Sequence, residues 1–330
     1  MYAITGPAGE PLSIPSHGGE DHAYFGPHQL HEARDYLIEH GYTVVRGLIP
    51  RELCEAANER VRDELAHYRG YLYRQTTADP EVHAFNDRGF MMNPIQNVQD
   101  VPTAQLGRFR RAALDVLTHE RVQALLDVLY DEPGKLVQSM YFQGNTATWA
   151  HQDTYYLDSE VIGDMVAGWY ALEDIHPGAG RFYVYPGSHR LDMEKNGGDF
   201  DYAFHHDRYK QLVKDIIRRL ELRCVAPALG QGDVLFWNSK TIHGSLETLE
   251  AARSRASLTA HYIPESARFL QFQSRIKGLE LQDYNGMQVN HPKSLDRMAK
   301  RMILGIETSF PRSFRFAKKV AVKLVTSGAR

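Results

Sequence analysis

Apolar positions in the first part of the chain follow a helical repeat in three stretches. The first, 28–40, places its apolar residues on one helical face and is followed by Gly41, a typical C-terminal stop. The second, 50–68, starts with proline, which favours the first turn of a helix. The third, 106–130, is interrupted near His119. These stretches predict helices.

From residue 134 onwards the pattern changes to short β-rich runs, separated mostly by Gly, Pro and Asn. The runs are 136–142, 165–172, 181–185, 222–225, 234–237 and 256–263, with an earlier one at 42–48. One helical stretch, about 206–220, interrupts them. Many short strands without strand–helix alternation predict an antiparallel double sheet such as a jelly roll, in a mainly β (α+β) fold with flanking helices.

The composition divides the chain into three parts. Residues 1–25, rich in Gly, Pro, Ser and His, are expected to form a flexible arm. Residues 26–310 are expected to form one domain, with a helical part at 28–130 and a β core at about 134–264. Residues 311–330 form a basic tail.

A polar stretch at 70–104 separates two of the predicted helices. Connections of this length without regular structure are usually functional or disordered. The stretch is therefore either a long surface loop or a flap that faces a substrate, and its sequence favours neither interpretation.

The overall composition argues against several classes of protein. A formal net charge of −3 and a pI near 6.6 are unlike those of a general nucleic-acid binder. No window approaches the roughly 18 consecutive apolar residues of a membrane span, and the N-terminus lacks a signal-peptide pattern. Cys54 and Cys224 are too few for a disulfide framework, so we expect a reducing, cytoplasmic setting.

The tail 311–330 is basic and free of acidic residues. Its charges include Arg312, Arg315, Lys318, Lys319 and Lys323. Such a run usually forms a solvated helix face. The alternative is a weak contact with an anionic substrate, partner or membrane surface.

The most informative chemistry lies in a His-x-Asp pair, His151 and Asp153, and a distant His243. In an extended segment, residues i and i+2 point to the same side, so the pair can present an imidazole nitrogen and a carboxylate oxygen to one ion. His243 follows the apolar run 234–237 and can supply a third ligand from another strand. Two histidines and one carboxylate form the facial triad that suits Fe(II) with open coordination positions. Such a pair also arises by chance in many proteins, so its context decides its meaning.

Further motifs follow in a fixed order around these residues. They are Trp-Tyr-Ala-Leu-Glu-Asp at 169–174, Tyr-Pro-Gly-Ser-His at 185–189, Gly-Asp-Val-Leu-Phe-Trp at 232–237, His-Gly-Ser at 243–245, and Arg255. With the His-x-Asp pair, this set resembles the phytanoyl-CoA dioxygenase family. The opening segment 41–48 is similar to the N-terminal element of that family, and the resemblance covers about residues 28–264.

The resemblance implies a double-stranded β-helix (cupin-like jelly-roll) core, with Fe(II), 2-oxoglutarate and O2 as cofactor and co-substrates. His151, Asp153 and His243 would be the iron ligands. The implied reaction is hydroxylation of an unactivated C–H bond of a small molecule, such as a secondary metabolite, acyl thioester or sugar, with release of succinate and CO2. A carboxylate at Asp153 argues against halogenation, because related halogenases have a small residue at that position.

Arg255 would bind the distal carboxylate of 2-oxoglutarate. A guanidinium offers two parallel donors to a carboxylate, and Ser257, two residues along the same strand, would add a hydroxyl on the same side. Arg253 is a competitor, because this loop is one residue longer than the resemblance leads us to expect. The Arg-x-Ser spacing favours Arg255.

Other residues near the motifs have two interpretations each. Tyr141 and Thr146 precede the metal pair and either line the co-substrate pocket or have structural roles. Gln152 and Trp169 either contact substrate or pack in the core, which is commoner for an aromatic in a β run. We expect the remaining histidines of this region not to be ligands: His205, His206 and His261.

Two other classes of function remain open. One is a cupin-type isomerase or epimerase that uses Mn or Zn, which would need no carboxylate-binding Arg255 and would not consume oxygen. The other is a non-catalytic module that binds 2-oxoglutarate or another metabolite.

Overall fold

A computed structural model describes residues 2–5, 11–21, 23–193, 195, 197–198, 205–272 and 275–314. Its helices are α1 (Leu30–His40), α2 (Arg51–Asp63), α3 (Thr103–Leu117), α4 (Glu120–Tyr130), α5 (His206–Arg219) and α6 (Met298–Ser309). The first five agree with the helical repeats in the sequence, and His119 caps the start of α4 at the predicted interruption.

The strands are short, and most lie in the second half of the chain. They are β1 (Tyr2–Thr5), β2 (Pro11–Ile14), β3 (Tyr24–Phe25), β4 (Tyr42–Val45), β5 (Leu72–Tyr73), β6 (Pro80–Glu81), β7 (Ile95–Gln96), β8 (Gly134–Phe142), β9 (Leu157–Ser159), β10 (Val166–Ala171), β11 (Phe182–Val184), β12 (Val234–Asn238), β13 (His243–Ser245), β14 (Ser257–Pro264), β15 (Phe269–Gln271), β16 (Arg275–Lys277), β17 (Leu281–Tyr284) and β18 (Met287–Asn290).

The main sheet has the strand order β17-β18-β8-β14-β10-β12-β4-β3, and β7 also pairs with β8. Its central pairs are antiparallel, and only β18 with β8 and β3 with β4 run parallel. The tight turn between α1 and β4 uses Gly41, which has φ of 83° and donates its N–H to the Leu37 carbonyl. The prediction of a mainly β fold with flanking helices is confirmed.

Side chains of the main sheet alternate between two apolar layers, as the period of a strand requires. On β10, Val166 and Tyr170 face the helix layer, where α1 to α4 contribute to one large core. Trp169 points the other way, into a second core shared with Phe182 of β11 and Trp237 of β12. The space between this inner face and the second, smaller sheet holds the candidate site.

The second sheet consists of β11 and β13, and isolated bridges extend it on both sides. Val184 bridges to Val225, and His243 bridges to His151. The predicted run 222–225 is therefore not a strand of its own but contributes one bridged residue. The reason is that Val225 meets β11 only at its edge, between the end of α5 and the loop that leads to β12.

Part of the predicted arm has defined contacts with the domain. β3 pairs with β4, the Gly19 N–H donates to the Cys224 carbonyl at 2.9 Å, and the Tyr42 hydroxyl donates to Asp21. Residues 19–21 and 23–25 therefore lie against the domain, and β3 forms one edge of its main sheet. Residues 1, 6–10 and 22 of the arm lie outside the described residues.

The region after 264 adds elements that the sequence patterns did not predict. β15 pairs with β9 and β16, and β18 lies beside β8 at the far side of the main sheet. α6 follows, and residues 315–330 of the basic tail lie outside the described residues. Across the described ranges, no helix has the length and apolar composition needed to cross a bilayer.

The stretch 70–104 is built around Arg74, whose side chain is fully buried. Its guanidinium donates to the carbonyls of Glu81 and Asn93 and to the ring of His83. These contacts connect the hairpin β5–β6 to the segment that returns toward β7. The stretch therefore has a folded centre with a buried cation.

Candidate metal centre

His151 and His243 face each other across two adjacent backbone segments. The N–H of each donates to the carbonyl of the other, at 3.0 and 2.9 Å, and their ring centroids are 4.3 Å apart. Gly244 permits this close approach, because a Cβ there would lie 2.5 Å from the Tyr183 hydroxyl and 2.6 Å from the Thr148 carbonyl. The glycine of the His-Gly-Ser motif thus has a steric role.

Backbone contacts set the same orientation for both imidazoles. Nδ1 of His151 lies 2.9 Å from the Trp149 carbonyl, and Nδ1 of His243 lies 2.9 Å from the Thr241 carbonyl. A carbonyl only accepts, so each Nδ1 carries the proton and each Nε2 keeps its lone pair. Both Nε2 atoms are therefore available as ligands.

The two carboxylate oxygens of Asp153 have different neighbours. Oδ1 lies 3.6 Å from Nε2 of His151 and 3.5 Å from Nε2 of His243. Oδ2 accepts a hydrogen bond from the Trp237 indole at 2.8 Å and lies 3.3 Å from Nε2 of His261. Oδ1 thus points toward the two ligand nitrogens, and Oδ2 is held by neighbouring side chains.

The electrostatics favour the protonation states that metal ligands need. Burial would raise the pKa of Asp153, but the neighbouring His243 and His261 lower it well below its usual value. Burial and then His243 lower the pKa of His151. A carboxylate and a neutral imidazole are the forms that bind a cation.

The donor atoms of His151, Asp153 and His243 all lie within 4.8 Å of one another, a separation at which they could hold one metal ion. The expectation of a simple extended His-x-Asp segment is corrected in detail. His151 is extended and bridged to β13, whereas Asp153 begins a 3-10 turn that runs to Tyr155. The turn directs Oδ1 back toward the imidazoles, and the Thr154 N–H donates to the Ser239 carbonyl.

A cavity of about 60 Å³ opens beside the three residues, between the two sheets. Four aromatic side chains and Met140 form its apolar walls, and polar side chains contribute a similar number of lining residues. The lining includes Met140, Phe142, Trp169, Phe182, Trp237, Gln75, Thr148, Arg255, Thr259 and His261. Apolar walls combined with individually placed polar groups are typical of a site that fixes the orientation of a small ligand.

Arg255 is the cation of this cavity, and it is 3% exposed. One terminal nitrogen donates to the Gly180 carbonyl at 3.0 Å, while Nε has no partner among the described residues. In the described part of the chain no carboxylate lies within ion-pair distance of it, and burial lowers its pKa to about 10. A buried guanidinium with an unused donor has the charge and the hydrogen-bonding capacity to bind an anion.

Of the two candidate arginines, only Arg255 lines the cavity. Arg253 is more than half exposed, and its Nε lies 3.4 Å from the Glu250 carboxylate. Ser257 is buried on the same strand face as Arg255, but its hydroxyl donates to the Arg255 carbonyl at 3.2 Å and is not part of the cavity lining. Arg255 therefore lies beside the metal-binding group, whereas Arg253 and Ser257 do not line the cavity.

The structure does not bring Tyr141 and Thr146 into the cavity. Tyr141 lies on the outer face of β8, where its ring packs against Phe109 at 5.6 Å, because the inward positions belong to Met140 and Phe142. Thr146 is exposed, and Thr148 lines the cavity in its place.

The two candidates for substrate contact, Gln152 and Trp169, have different environments. Gln152 is buried, with its side-chain amide donating to the Lys240 carbonyl and its backbone N–H to the Tyr209 hydroxyl. It therefore fixes the segment between the two ligands. Trp169 lines the cavity and packs against Phe182, with Arg255 near its ring at 5.8 Å.

His261 and Gln75 are among the cavity residues that the sequence reasoning missed. His261 was expected not to be a ligand; it does not belong to the metal-binding group, but it contacts Asp153. Its position six residues after Arg255, on the same face of β14 as Thr259, was a signal that alternation along a strand could have used. Gln75 enters from the polar stretch 70–104, whose sequence gave no comparable signal.

Comparison with known proteins gives one family match and one curated relative. The family described as phytanoyl-CoA dioxygenase (PhyH) matches residues 37–256. The chain is similar to phytanoyl-CoA dioxygenase domain-containing protein 1 of Bos taurus, with 26% identity over 278 residues that cover 72% of this chain and 90% of the relative.

Solved structures share the fold. The epimerase SnoN from nogalamycin biosynthesis superposes with a TM-score of 0.52 at 19% identity, covering 80% of this chain and 99% of that one. The carbocyclase SnoK from the same pathway gives 0.52 at 18% identity, over 76% and 89%. A complex of SnoN with Fe3+, alpha ketoglutarate and nogalamycin RO gives 0.51 at 20% identity, over 80% and 96%.

Proposed function

Because the chain belongs to the phytanoyl-CoA dioxygenase family, we propose that it is an Fe(II)- and 2-oxoglutarate-dependent dioxygenase that hydroxylates a small molecule. The observation that carries this proposal is the pairing, in one buried cavity, of a His-Asp-His group with an arginine that has an unused donor. A cupin-type isomerase that binds only a metal would have no need of a buried cation there.

The residues present fit both groups that this chemistry needs. His151, Asp153 and His243 would hold iron from one side, because their donor atoms converge and both Nε2 atoms are free to coordinate. With 2-oxoglutarate and O2, bound iron supplies the oxidising power for C–H hydroxylation, with succinate and CO2 as co-products.

Arg255 would bind the distal carboxylate of 2-oxoglutarate. Its Nε donor lacks a partner among the described residues, and burial strengthens a charge-assisted bond to an incoming carboxylate. The rings of Trp169 and Phe142, each 5.8 Å from its guanidinium carbon, limit how far the side chain can turn. A fixed guanidinium would orient the co-substrate before O2 reacts.

The rest of the cavity indicates what kind of substrate group reaches the site. Met140, Phe182 and Trp237 form apolar walls that exclude water, and Gln75 is a neutral hydrogen-bonding group at its edge. We propose that the reacting part of the substrate is an uncharged carbon skeleton, and that Gln75 contacts a polar group on it.

The test is an anaerobic titration of the metal-free protein with Fe(II) and 2-oxoglutarate, followed by the visible charge-transfer band of the chelate. Wild type should give the band and His151→Ala should not. Arg255→Ala should need on the order of 100-fold more 2-oxoglutarate, because the buried guanidinium that would pair with the distal carboxylate is removed. Arg253→Ala, the exposed neighbour, is the matched control and should titrate like wild type.

Three further readouts complete this test. Circular dichroism and Fe(II) binding alone show whether Arg255→Ala remains folded. Aerobic succinate formation and a product heavier by one oxygen atom support hydroxylation. Iron binding by wild type without the band would contradict the 2-oxoglutarate assignment and would favour the cupin-type isomerase.

We also propose that the protein works in a reducing, cytoplasmic setting. Cys54 and Cys224 are both free thiols, and Cys54 is buried at the start of α2. A ferrous site and unpaired thiols are both favoured where thiols stay reduced.

A further inference from the structure

Helix α6 exposes an apolar face of unusual size. Met298, Met302, Ile306 and Phe310 follow one another at intervals of four residues, so they form one stripe, and Ile303 lies beside it. Met298 is 70% exposed and Phe310 is 64% exposed. Five large apolar side chains within 13 residues therefore face solvent together.

The opposite face of α6 is attached to the domain mainly by polar groups, and Leu304 packs against the large core there. Glu307 is 6% exposed and accepts a hydrogen bond from the Tyr73 hydroxyl at 3.0 Å. Lys300 donates to Glu280 and to the Pro292 carbonyl. A surface helix normally turns its apolar side inward, so these contacts hold α6 in the reverse orientation.

The sequence that follows the stripe is strongly cationic. Residues 311–330 contain six basic residues and no acidic ones, while residues 1–310 have a formal charge of −9. Apolar residues such as Phe316, Val320 and Leu324 are interspersed among these cations. Charge asymmetry of this kind in one chain points to an anionic partner of its terminal segment.

We propose that α6 and the residues after it form a membrane-surface anchor that binds anionic lipid. An apolar stripe enters the boundary between headgroups and acyl chains, and adjacent cations pair with the anionic headgroups. A second copy of the chain is a poorer occupant, because contact through this face would bring two six-cation segments together. This proposal does not depend on the proposed oxygenase function.

The attachment of α6 has a consequence for the cavity. Tyr73, which contacts Glu307, lies at the end of β5 and directly precedes Arg74 and Gln75. Lys293, before α6, also lies over the Tyr73 ring at 3.5 Å. The proposed anchor is thus connected through one short segment to a wall of the candidate site.

The experiment is co-sedimentation of the full chain with vesicles of equal parts phosphatidylcholine and phosphatidylglycerol, and with vesicles of phosphatidylcholine alone. Wild type should bind the anionic vesicles, and added salt should weaken binding. The double variant Met302→Gln/Ile306→Gln should bind at least about tenfold more weakly, because two apolar side chains that would be buried in the membrane surface are lost. The triple variant Lys318→Gln/Lys319→Gln/Lys323→Gln should bind more weakly and lose much of the salt dependence.

The matched control is Val161→Gln/Leu249→Gln, which changes two similarly exposed apolar residues elsewhere on the surface. It should bind vesicles like wild type. All variants should give the iron and 2-oxoglutarate band of the parent protein, which separates a failure here from a failure of the oxygenase proposal.

Two results would overturn the proposal. One is that wild type does not sediment with anionic vesicles. The other is that the α6 variant binds them as well as wild type does. If vesicles are not bound but Met302→Gln/Ile306→Gln lowers the mass found by sedimentation equilibrium, the face is an interface between two copies.

Discussion

At the residue scale, the carboxylate of Asp153 depends on groups outside the predicted triad. Trp237 donates to Oδ2 at 2.8 Å, and His261 lies 3.3 Å from the same oxygen. These contacts leave Oδ1 to face His151 and His243. The sequence predicted Trp237 only as part of an apolar strand. Its hydrogen bond to Asp153 became evident only from the structure.

We predict that Trp237→Phe weakens Fe(II) binding by about 10- to 100-fold, the usual effect of losing a hydrogen bond that orients a metal ligand. Phenylalanine keeps an aromatic ring at this position but has no N–H to donate, so the carboxylate gains rotational freedom. An anaerobic Fe(II) titration without 2-oxoglutarate measures this directly.

Trp169→Phe is the control for this change, because it removes an indole from the same cavity but packs against Phe182 instead of Asp153. It should bind Fe(II) like wild type. An unchanged Fe(II) affinity in Trp237→Phe would show that the indole does not orient the carboxylate.

Sequence reasoning at this scale succeeded where a motif fixed the residue and failed where only the direction of a side chain mattered. Spacing alone selected Arg255 over Arg253, and the structure places only Arg255 in the cavity. Tyr141 was proposed for the co-substrate pocket although it alternates with Met140 and Phe142 and must face the other layer. Counting the strand period from a known inward residue would have excluded it.

At the element scale, the stretch 70–104 owes its folded centre to one buried cation. Among the described residues, the acceptors of Arg74 are neutral: the carbonyls of Glu81 and Asn93, the Nδ1 atom of His83 and the Met91 sulfur. His83 must therefore accept, and it remains neutral. Burial, and then the Arg74 charge, lower the pKa of His83 to about 4.

This arrangement predicts a pH dependence of stability with a definite sign. Between about pH 6.5 and about pH 4, unfolded His83 takes up a proton and folded His83 does not, so the free energy of unfolding falls as pH decreases. Urea unfolding at about pH 7 and about pH 5 should show a smaller loss of stability for His83→Gln than for wild type.

His67→Gln, at an exposed position in the neighbouring turn, is the comparison for this measurement. It should keep the wild-type pH dependence. If His83→Gln loses as much stability as wild type over the same interval, protonation of His83 does not contribute.

Elements were predictable in proportion to their length. Helices of eleven or more residues repeat their pattern three times, and α1 to α5 were found from it, although α6, with twelve residues, was not. β5, β6, β7 and β3 have two residues each, so they hold no repeat from which a strand could be recognised. The order of strands in the sheet depends on contacts between distant segments, which a local pattern does not contain.

At the scale of the whole molecule, the region after 264 completes the main sheet. Asn290 of β18 donates its side-chain amide to the Val137 carbonyl and accepts from the Glu280 N–H. Gln99 donates to the Asn290 carbonyl and accepts from Ser139. Buried polar contacts thus join the C-terminal region to β8 and to the segment before α3.

We predict that Asn290→Ala lowers the free energy of unfolding by about 1–3 kcal/mol, because it removes the side-chain partner of the buried Val137 carbonyl and of the half-buried Glu280 N–H. Chemical denaturation measures the change. Gln288→Ala, on the same strand with a half-buried side chain, should have a smaller effect. Equal effects of the two variants would contradict the role of this network.

The motifs predicted the family and the double-sheet core, but they end near residue 264. The strands after this residue contain no family motif. The side-chain amide of Asn290 holds β18 beside β8, and its partner, the Val137 carbonyl, is far away in the chain. Their position beside β8 could not be inferred from the pattern of apolar residues.

The long separations within the main sheet also have a consequence for biosynthesis. β4 pairs with β12, and Arg46 contacts Asp233 across 187 residues. Early strands therefore leave the ribosome long before their partners exist, and a fold with so many distant contacts forms slowly. Because His151 and His243 meet only after this closure, any metal they bind is acquired by a chain that is already mostly synthesised.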